Sequence, residues 1–370
     1  MQLRGLRVAG PLLRRQWLSK APISSSITAI SSWPSVSSSH AFSTSKYIPV
    51  DVQEMKSRQP KVIRDYLTPM PSYLLTTTLS DLLHAPPPPA SSVLMSSERA
   101  VPQGHHLVYF PLQTAASELA FDGADQDHAP SEEFTKRLWA GGEVRFSDWE
   151  DKDMGLMLDG RAWVCKEEIG DVKVKGGGRG DEKVFVDLWR RYGLGHEVGE
   201  GRGWDIEERR TLLFMRKPEE EAASPTAARV IKYPHPPTHS ISLIPTPSHL
   251  FHFSALTFNA HSIHLDPEYA RSQDGHKTIL VHGPLTLALM LRVLNDHVAP
   301  GKSDRIGGAV KSIVYRNYAP LYVGEKMTVC VRRVKERVEE SEEEWDVWVE
   351  GPEGGMAAKG SAVVDARKGK

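Results

Sequence analysis

The chain has 370 residues, with 46 basic and 47 acidic side chains and a formal net charge of −1 at pH 7. The first fifty residues contain six of the basic side chains and no acidic one, so the remainder carries 40 against 47, a net charge of −7. This balance argues against nucleic acid as the main partner, because neutralising phosphates needs a basic surface. About 320 residues are enough for two domains of ordinary size or for one large domain.

The N-terminal segment is rich in arginine and serine and has no acidic residue before Asp51. This composition is typical of a mitochondrial transit peptide, which we predict over residues 1–46, with localisation in the mitochondrial matrix. A secretory signal would need an uninterrupted apolar core, and Arg14 and Arg15 interrupt the candidate. The alternative is a disordered N-terminal tail.

A first domain is predicted over residues 51–217. It begins with a helical segment around residues 62–83, which a proline run follows. Strand-like runs come next, at residues 143–146, 162–167, 172–175, 184–189 and 211–216. The glycine-rich residues 176–180 lie between two of these runs. They predict a hairpin tip, because a phosphate-binding loop would follow a strand and open a helix.

Residues 218–247 begin with an acidic cluster and are rich in proline, which predicts a linker laid over a surface. A second domain is predicted over residues 248–367. Its apolar segment at residues 284–294 is helix-forming and apolar nearly all round, so we expect a buried helix.

Four strands should follow this helix, and an α+β domain with a curved sheet wrapped around the helix is expected. The strands are predicted at residues 310–318, 326–334, 345–350 and 356–364, with a hairpin turn at residues 351–355.

The cysteine count and the apolar runs exclude other classes. Cys165 and Cys330 have no CxxC or Cys/His spacing, so we predict two buried thiols rather than a disulfide framework or a zinc site. The longest apolar run, residues 279–294, is interrupted by polar residues and is too short to span a membrane.

The residues that could perform chemistry lie between the linker and the buried helix. An apolar segment, predicted as a strand, ends in Asn259, His261 and His264, and His282 and Gly283 then open the helix. An imidazole can transfer protons near neutral pH, and the free N–H groups of a helix N-terminus can polarise a carbonyl. This combination indicates an enzyme.

Two other interpretations of these histidines stay open at this point. Taken alone, His264 is best interpreted as a hydrogen-bonded structural histidine, and it is Asn259, Asp266 and the turn at residues 282–283 that favour a catalytic role. His261 and His264 are three residues apart and could bind a metal, but no third ligand has a suitable spacing, so we predict no metal site.

The segment ALTFNAHSIHLD, residues 255–266, is similar to the hydratase-2 signature of the MaoC-like hotdog superfamily. Residues 282–286 look like the helix-opening turn of that family, and residues 315–325 resemble the strand and turn that follow it. In the first domain, residues 119–123 and 137–142 resemble one subgroup, the fungal mitochondrial 3-hydroxyacyl-thioester dehydratases (type 2) and the bacterial mesaconyl-C4-CoA hydratase.

The resemblance implies a fold and an activity. The fold is a double hotdog, two fused α+β units that each wrap a curved antiparallel sheet around a central helix. The activity is reversible dehydration of (3R)-3-hydroxyacyl thioesters, carried on acyl carrier protein or CoA, in mitochondrial type II fatty-acid synthesis. No cofactor or metal is implied, and a homodimer is a possible assembly.

Two other functions compete with this one. The first is hydration of mesaconyl- or itaconyl-CoA, which needs a cation for the free carboxylate, and Arg292 or Arg316 is the candidate. The second is a non-catalytic hotdog protein that binds acyl thioesters.

The resemblance also implies roles for the site residues. His264 corresponds to the catalytic histidine, and Asn259 stands where many members have an aspartate, so its amide would orient the hydroxyl group or water. The Gly283 N–H would polarise the thioester carbonyl. His261 and His282 would shape the pocket. The first domain has no comparable Asn/His pair, and we expect it to cover the acyl chain without catalysing.

Overall fold

The structure, a computed structural model, describes most of the chain beyond the N-terminal segment. The described residues are 49–90, 100–147, 155–176, 181–195, 203–216, 230–300, 308–337 and 341–367. The predicted transit peptide and the first part of the predicted linker lie outside them. Because residues 47–370 form one compact unit, the boundaries proposed for two domains and a linker remain predictions.

The described chain contains ten strands and five α-helices, which are arranged in two similar halves. The first half contains α1 (Val52–Ser57), β1 (Lys61–Tyr66), α2 (Pro69–Leu82), β2 (Lys136–Phe146), β3 (Ala162–Lys175), β4 (Lys183–Leu194) and β5 (Ile206–Met215). The second half contains β6 (His239–Leu243), α3 (Pro247–Thr257), α4 (Pro267–Ser272), α5 (Gly283–Val298), β7 (Val310–Asn317), β8 (Met327–Arg337), β9 (Glu342–Glu350) and β10 (Met356–Asp365).

The strands form one antiparallel sheet in the order β1-β3-β4-β5-β2-β7-β10-β9-β8-β6. From its outer edge inwards, the first half has the order β1-β3-β4-β5-β2 and the second half has the order β6-β8-β9-β10-β7. If the strands of each half are numbered along the chain, both orders are 1-3-4-5-2. The sheet therefore consists of two equivalent five-stranded units placed edge to edge. β2 and β7 join the halves, in a register that runs from Gly141 opposite Arg316 to Arg145 opposite Ser312. This arrangement confirms the predicted α+β double hotdog.

Helix α5 is the centre of the second half, as predicted. It packs against β7, β8 and β9, and ten of its sixteen residues are buried. Full burial of each leucine contributes about 1.5–3 kcal/mol. The buried Asn295 connects the halves, because its Nδ2 donates to Gln103 Oε1 at 3.0 Å and its Oδ1 accepts the Ala309 N–H at 2.8 Å.

The first half contains the fourteen-residue helix α2. Between α2 and β2, the only helical segments in the described part of the chain are single 3-10 turns at His105–Val108 and Ala116–Glu118. The first of these turns contacts α5 of the second half. Helix α5 therefore contacts both halves of the described chain.

Two predictions of secondary structure were wrong. The segment around residues 62–83 is not one helix, because β1 pairs with β3 before α2 begins at Pro69, and a proline disfavours helix in the residue before it. The apolar segment before Asn259 is helix α3 and not a strand. Thr246 and His249 form a capping box at its N-terminus, and a proline occupies the first turn.

The remaining local predictions are confirmed where residues are described. β7 to β10 match the four predicted strands, and the turn at residues 351–355 closes with the Gly351 N–H donating to the Gly355 carbonyl at 2.8 Å. Lys175 pairs with Lys183, so β3 and β4 form the predicted hairpin, although residues 177–180 at its tip lie outside the described chain. Both cysteines are free and buried. None of the described helices combines the length and hydropathy that a membrane span requires.

Candidate active site

The turn that follows α3 places the predicted site residues. α3 ends at Phe258, whose φ of +52° is in the left-handed region. The Asn259 N–H then donates to the Ser254 carbonyl at 2.9 Å, and its side-chain oxygen accepts the His261 N–H at 3.0 Å. A 3-10 turn from Ser262 to His264 follows. The rings of His261 and His264 come to lie nearly perpendicular, with centroids 5.8 Å apart.

The hydrogen bonds of His264 define its tautomer. Its Nδ1 lies 2.8 Å from the Leu280 carbonyl oxygen, and because a carbonyl only accepts, Nδ1 carries the proton. Nε2 is then left with a lone pair and bonds to no group in the described part of the chain. Burial, together with the nearby His261, lowers the pKa of His264 to about 3. His264 is therefore a neutral base at neutral pH.

His282 supports His264 from behind. The two rings are stacked, with centroids 3.7 Å apart and planes 20° from parallel. His282 is fully buried, its Nε2 lies 2.8 Å from the Ser254 hydroxyl, and its carbonyl accepts the Thr286 N–H at 3.0 Å. Burial holds the pKa of His282 well below its usual value. This residue fixes both the ring of His264 and the start of α5.

Gly283 is the first residue of α5 and lines the same cavity as His264. Its N–H has no intrahelical acceptor, as expected at a helix N-terminus, and donates to no other described group. The following Pro284 has no N–H. Gly283 is therefore a backbone donor at the cavity wall, in the position that the sequence predicts.

Sequence analysis missed Asp122, which reaches the site from the first half. Its Oδ2 lies 3.2 Å from His261 Nε2, and both side chains are buried. The Asp122 carbonyl accepts the Ser262 N–H at 2.7 Å. Gly123, with φ of +77°, approaches so closely that a Cβ there would lie 2.3 Å from the Ala260 oxygen. The Asp-Gly pair in the segment 119–123 is the only sequence signal for this contact.

The carboxylate of Asp122 is ionised. Burial alone would raise its pKa, but the hydrogen bond and the charge of His261, with a backbone N–H from Ala124, lower the pKa below its usual value. The pair is thus an anionic carboxylate and an imidazole held together inside the protein.

The cavity has a volume of about 460 Å³ and is walled by both halves. The second half contributes Asn259, His261, His264 and Gly283, so the structure brings four of the five predicted site residues to one cavity. His282 lies behind the wall. The first half contributes mainly apolar groups, including Leu107, Phe110, Leu138, Trp139, Leu188 and Leu212. The described residues contain no cluster of three or more potential metal ligands.

Trp139 of β2 is a second residue that sequence analysis left without a role. Its indole N–H donates to the Tyr315 hydroxyl at 2.8 Å, and its carbonyl accepts from the Asn317 amide at 2.8 Å. Tyr315 and Asn317 belong to β7, so these bonds cross between the halves. These two bonds therefore hold Trp139, whose side chain packs against Gly283.

Three guanidinium groups also line the cavity. Arg190 pairs with Glu167 at 3.1 Å, and Arg210 pairs with Glu208 at 2.8 Å. Arg137 donates to the Asp125 carbonyl at 2.8 Å, and none of the described carboxylates lies within 4 Å of it. Of these three arginines, Arg137 is the one whose charge has no carboxylate of the described residues directly beside it.

The two cations predicted for a substrate carboxylate are elsewhere. Arg292 pairs with Asp296 at 2.6 Å, and the guanidinium of Arg316 lies over the ring of Tyr318. Neither arginine lines the cavity, so that assignment was wrong.

Comparisons with known proteins agree with this architecture. A sequence model of the family described as hydroxyacyl-thioester dehydratase type 2 matches residues 104–323, more than half of the chain. The chain is 26% identical over 275 residues to mesaconyl-C(4)-CoA hydratase of Chloroflexus aurantiacus, covering 73% of this chain and 85% of that protein. It is also 26% identical over 295 residues to the mitochondrial hydroxyacyl-thioester dehydratase type 2 of Schizosaccharomyces pombe, covering 73% and 89% respectively.

Solved structures show the same fold. The crystal structure of a MaoC-like dehydratase from Phytophthora capsici superimposes with a TM-score of 0.57 at 16% identity, covering 85% of this chain and 98% of that one. A second MaoC-like dehydratase gives a TM-score of 0.56 at 11% identity, covering 84% and 98%. These similarities agree with the double hotdog described above.

Proposed function

Since the chain belongs to the hydroxyacyl-thioester dehydratase type 2 family, a family of hydro-lyases, we propose that it catalyses the reversible dehydration of (3R)-3-hydroxyacyl thioesters to trans-2-enoyl thioesters. The observation that supports this most directly is the placement of His264 and Gly283 on one cavity. A base with a free Nε2 and a free helix N-terminal N–H are two of the groups that the reaction needs.

The geometry suggests how the reaction proceeds. The thioester carbonyl binds at Gly283, whose N–H stabilises the negative charge that develops on the oxygen as an enolate-like state forms. His264 Nε2 removes the proton from C2 and returns it in the hydration direction. The C3–O bond breaks, and Asn259 orients the departing oxygen. The apolar side chains of the first half cover the acyl chain.

The proposed substrate is carried on acyl carrier protein or CoA, and the proposed setting is fatty-acid synthesis in the mitochondrial matrix. The composition of residues 1–46 and the mitochondrial relative in Schizosaccharomyces pombe support this setting. Fusing residues 1–46 to a fluorescent reporter tests it. A reporter that enters mitochondria and resists added protease supports matrix import, and a cytosolic reporter contradicts it.

The activity is tested by following the absorbance of the conjugated enoyl thioester when purified protein meets 3-hydroxyacyl thioesters of several chain lengths. We expect turnover with both carriers to be measurable and chain length to alter kcat/KM. Tight binding of acyl thioesters without any enoyl product would instead support a non-catalytic binding protein.

A second candidate activity is hydration of a short dicarboxylyl-CoA such as mesaconyl-CoA. It is favoured by Arg137, which lines the cavity without a directly paired carboxylate, and by the Chloroflexus aurantiacus relative. Arg137→Gln should lower kcat/KM for mesaconyl-CoA by about 10- to 100-fold and leave a medium-chain substrate much less affected, because only the first substrate has a free carboxylate to bind. Equal effects on both substrates would remove this candidate.

A further inference from the structure

The dehydration proposed above lacks an identified proton source for the leaving hydroxyl group. An amide cannot exchange a proton at neutral pH, so Asn259 can orient the hydroxyl but cannot protonate it. The oxygen of the Asn259 side chain is also engaged, because it accepts the His261 N–H at 3.0 Å. His264 removes the C2 proton and is not protonated beforehand, since burial lowers its pKa to about 3. The leaving hydroxyl group therefore needs a proton from a residue other than Asn259 and His264.

We infer that His261, held by Asp122, protonates the hydroxyl group that leaves C3 and deprotonates the incoming water in the reverse direction. The inference rests on the proposed dehydratase function and assigns a further catalytic residue to it. His261 lines the cavity beside His264 and is buried against a carboxylate from the other half of the molecule.

The contacts leave opposite nitrogens of the two imidazoles without a partner among the described residues. The ionised Asp122 accepts a hydrogen bond from His261 Nε2–H, and His261 Nδ1 has no partner among the described residues. In His264 the arrangement is reversed, because Nδ1 donates to Leu280 and Nε2 is free. Asp122 fixes the tautomer and compensates the charge of the His261 imidazolium, the role of a carboxylate that orients a catalytic histidine.

The charged and titratable groups around His261 come from several elements. Asp122 lies in the loop before β2, His264 follows in the same turn, and His282 begins α5. Arg137 of β2 is near enough to contribute with His261 to the low pKa of His264. Among these groups Asp122 is the carboxylate, and it contacts His261 directly.

The proton and electron balance of the step is complete. The step requires His264 to enter with Nε2 free and His261 to enter with a proton on Nδ1 as well as on Nε2. His264 Nε2 takes the C2 proton, the electron pair of that C–H bond forms the C2=C3 double bond, and the C3–O bond breaks. The departing oxygen takes the proton of His261 Nδ1 and leaves as water. His264 then releases its proton to solvent and His261 regains one.

A leaving group that needs no proton tests the assignment. A 3-fluoroacyl thioester eliminates fluoride, a weak base, but still requires removal of the C2 proton. In His261→Gln we expect a loss of about 100-fold or more in kcat with the 3-hydroxyacyl thioester and a loss of less than about 10-fold with the 3-fluoroacyl thioester. Equal losses with both substrates, or no loss with either, would overturn the inference.

Asp122→Asn provides a second variant that preserves side-chain shape and the acceptor for the Ala124 N–H. Asp122 acts through His261 as a positioning residue. Asp122→Asn should therefore lower kcat more with the 3-hydroxyacyl thioester than with the 3-fluoroacyl thioester, as His261→Gln does. His264→Gln should lose both reactions, and His239→Gln in β6, an exposed histidine outside the cavity, should retain both.

These outcomes separate this inference from the proposed function. If wild-type protein forms no enoyl thioester from any 3-hydroxyacyl substrate, the dehydratase proposal itself fails. If wild-type protein is active and the two substrates respond alike to His261→Gln and to Asp122→Asn, the dehydratase proposal stands and the role of His261 is rejected.

Discussion

Gly283 packs directly against Trp139, so that a Cβ atom added to the glycine would lie 3.0 Å from Trp139 Cβ and 3.1 Å from Cγ. These tryptophan atoms are near the backbone and cannot swing aside. The indole is further held by the Tyr315 hydroxyl and the backbone by Asn317. The proposed carbonyl donor of one half is thus positioned by a tryptophan of the other half, so both halves form the candidate active site.

Gly283→Ala should reduce both stability and activity. The added methyl group would overpack the contact with Trp139, at a cost of about 1–2 kcal/mol in the free energy of unfolding. Displacement of the helix N-terminus should lower kcat by about tenfold or more, because the N–H donor would move from the carbonyl. Denaturant unfolding and steady-state kinetics measure the two effects. Gly203→Ala is the control, since a Cβ there meets nothing within 4 Å, and equal behaviour of the two variants would contradict the role of this contact.

His264→Ala should abolish turnover while the protein remains folded, because it removes the proposed base for the C2 proton. Asn259→Ala should chiefly lower kcat, by about 10- to 100-fold, since an orienting group acts on the transition state more than on binding. Steady-state kinetics, with thermal unfolding as a check of folding, distinguishes the two results. Turnover like that of the wild type in purified His264→Ala would falsify the mechanism.

The buried His264 should make the protein less stable in acid. Its folded pKa of about 3 lies below the unfolded value of about 6.5, so the unfolded chain binds more protons between these limits. The stabilisation is complete above pH 6.5 and is lost progressively as the pH falls towards 3. His264 alone should account for about 2 kcal/mol of the stability lost between pH 7 and pH 5.

Denaturant unfolding at pH 7 and pH 5 tests this contribution. Between pH 7 and pH 5, the free energy of unfolding of His264→Gln should fall by about 2 kcal/mol less than that of the wild type. The control variant His239→Gln replaces an exposed histidine, and its free energy of unfolding should fall as much as that of the wild type. An unchanged pH dependence in His264→Gln would show that His264 is not buried in its neutral form.

Phe258 combines an unfavourable backbone with an exposed ring. Its φ is +52°, a conformation that favours glycine, and the side chain is 65% exposed while lining the cavity. Phe258→Gly should raise the free energy of unfolding by about 1 kcal/mol, because the left-handed strain is removed. It should also raise KM if the ring contacts the substrate at the cavity mouth.

Phe258→Ala separates these two effects, because alanine removes the ring but keeps the Cβ atom that causes the strain. We expect both variants to raise KM to a similar extent, and only the glycine variant to gain stability. A glycine variant less stable than the alanine variant would contradict the strain argument.

Much of the second half could be predicted from local sequence patterns. The run at residues 284–294 is apolar on every side, which leaves a buried helix as its natural conformation, and alternation with period two marks β7 to β10. α3 was misread because an apolar segment of this length suits a helix or a strand equally well. Its capping box, which begins at Thr246, decides between them. β1 was missed because its partner, β3, lies far along the chain.

For the candidate active site, the sequence by itself determined two local groups, the turn with Asn259, His261 and His264 and the helix start at Gly283. Each group is short enough for local backbone geometry to arrange it, and tertiary contacts such as the bond from His264 Nδ1 to the Leu280 carbonyl bring the two together. Only the tertiary structure decided that Asp122 binds His261, that Trp139 packs on Gly283, and that the cavity lies between two halves. These contacts join residues more than a hundred positions apart, and their geometry depends on how β2 pairs with β7, which no local pattern encodes.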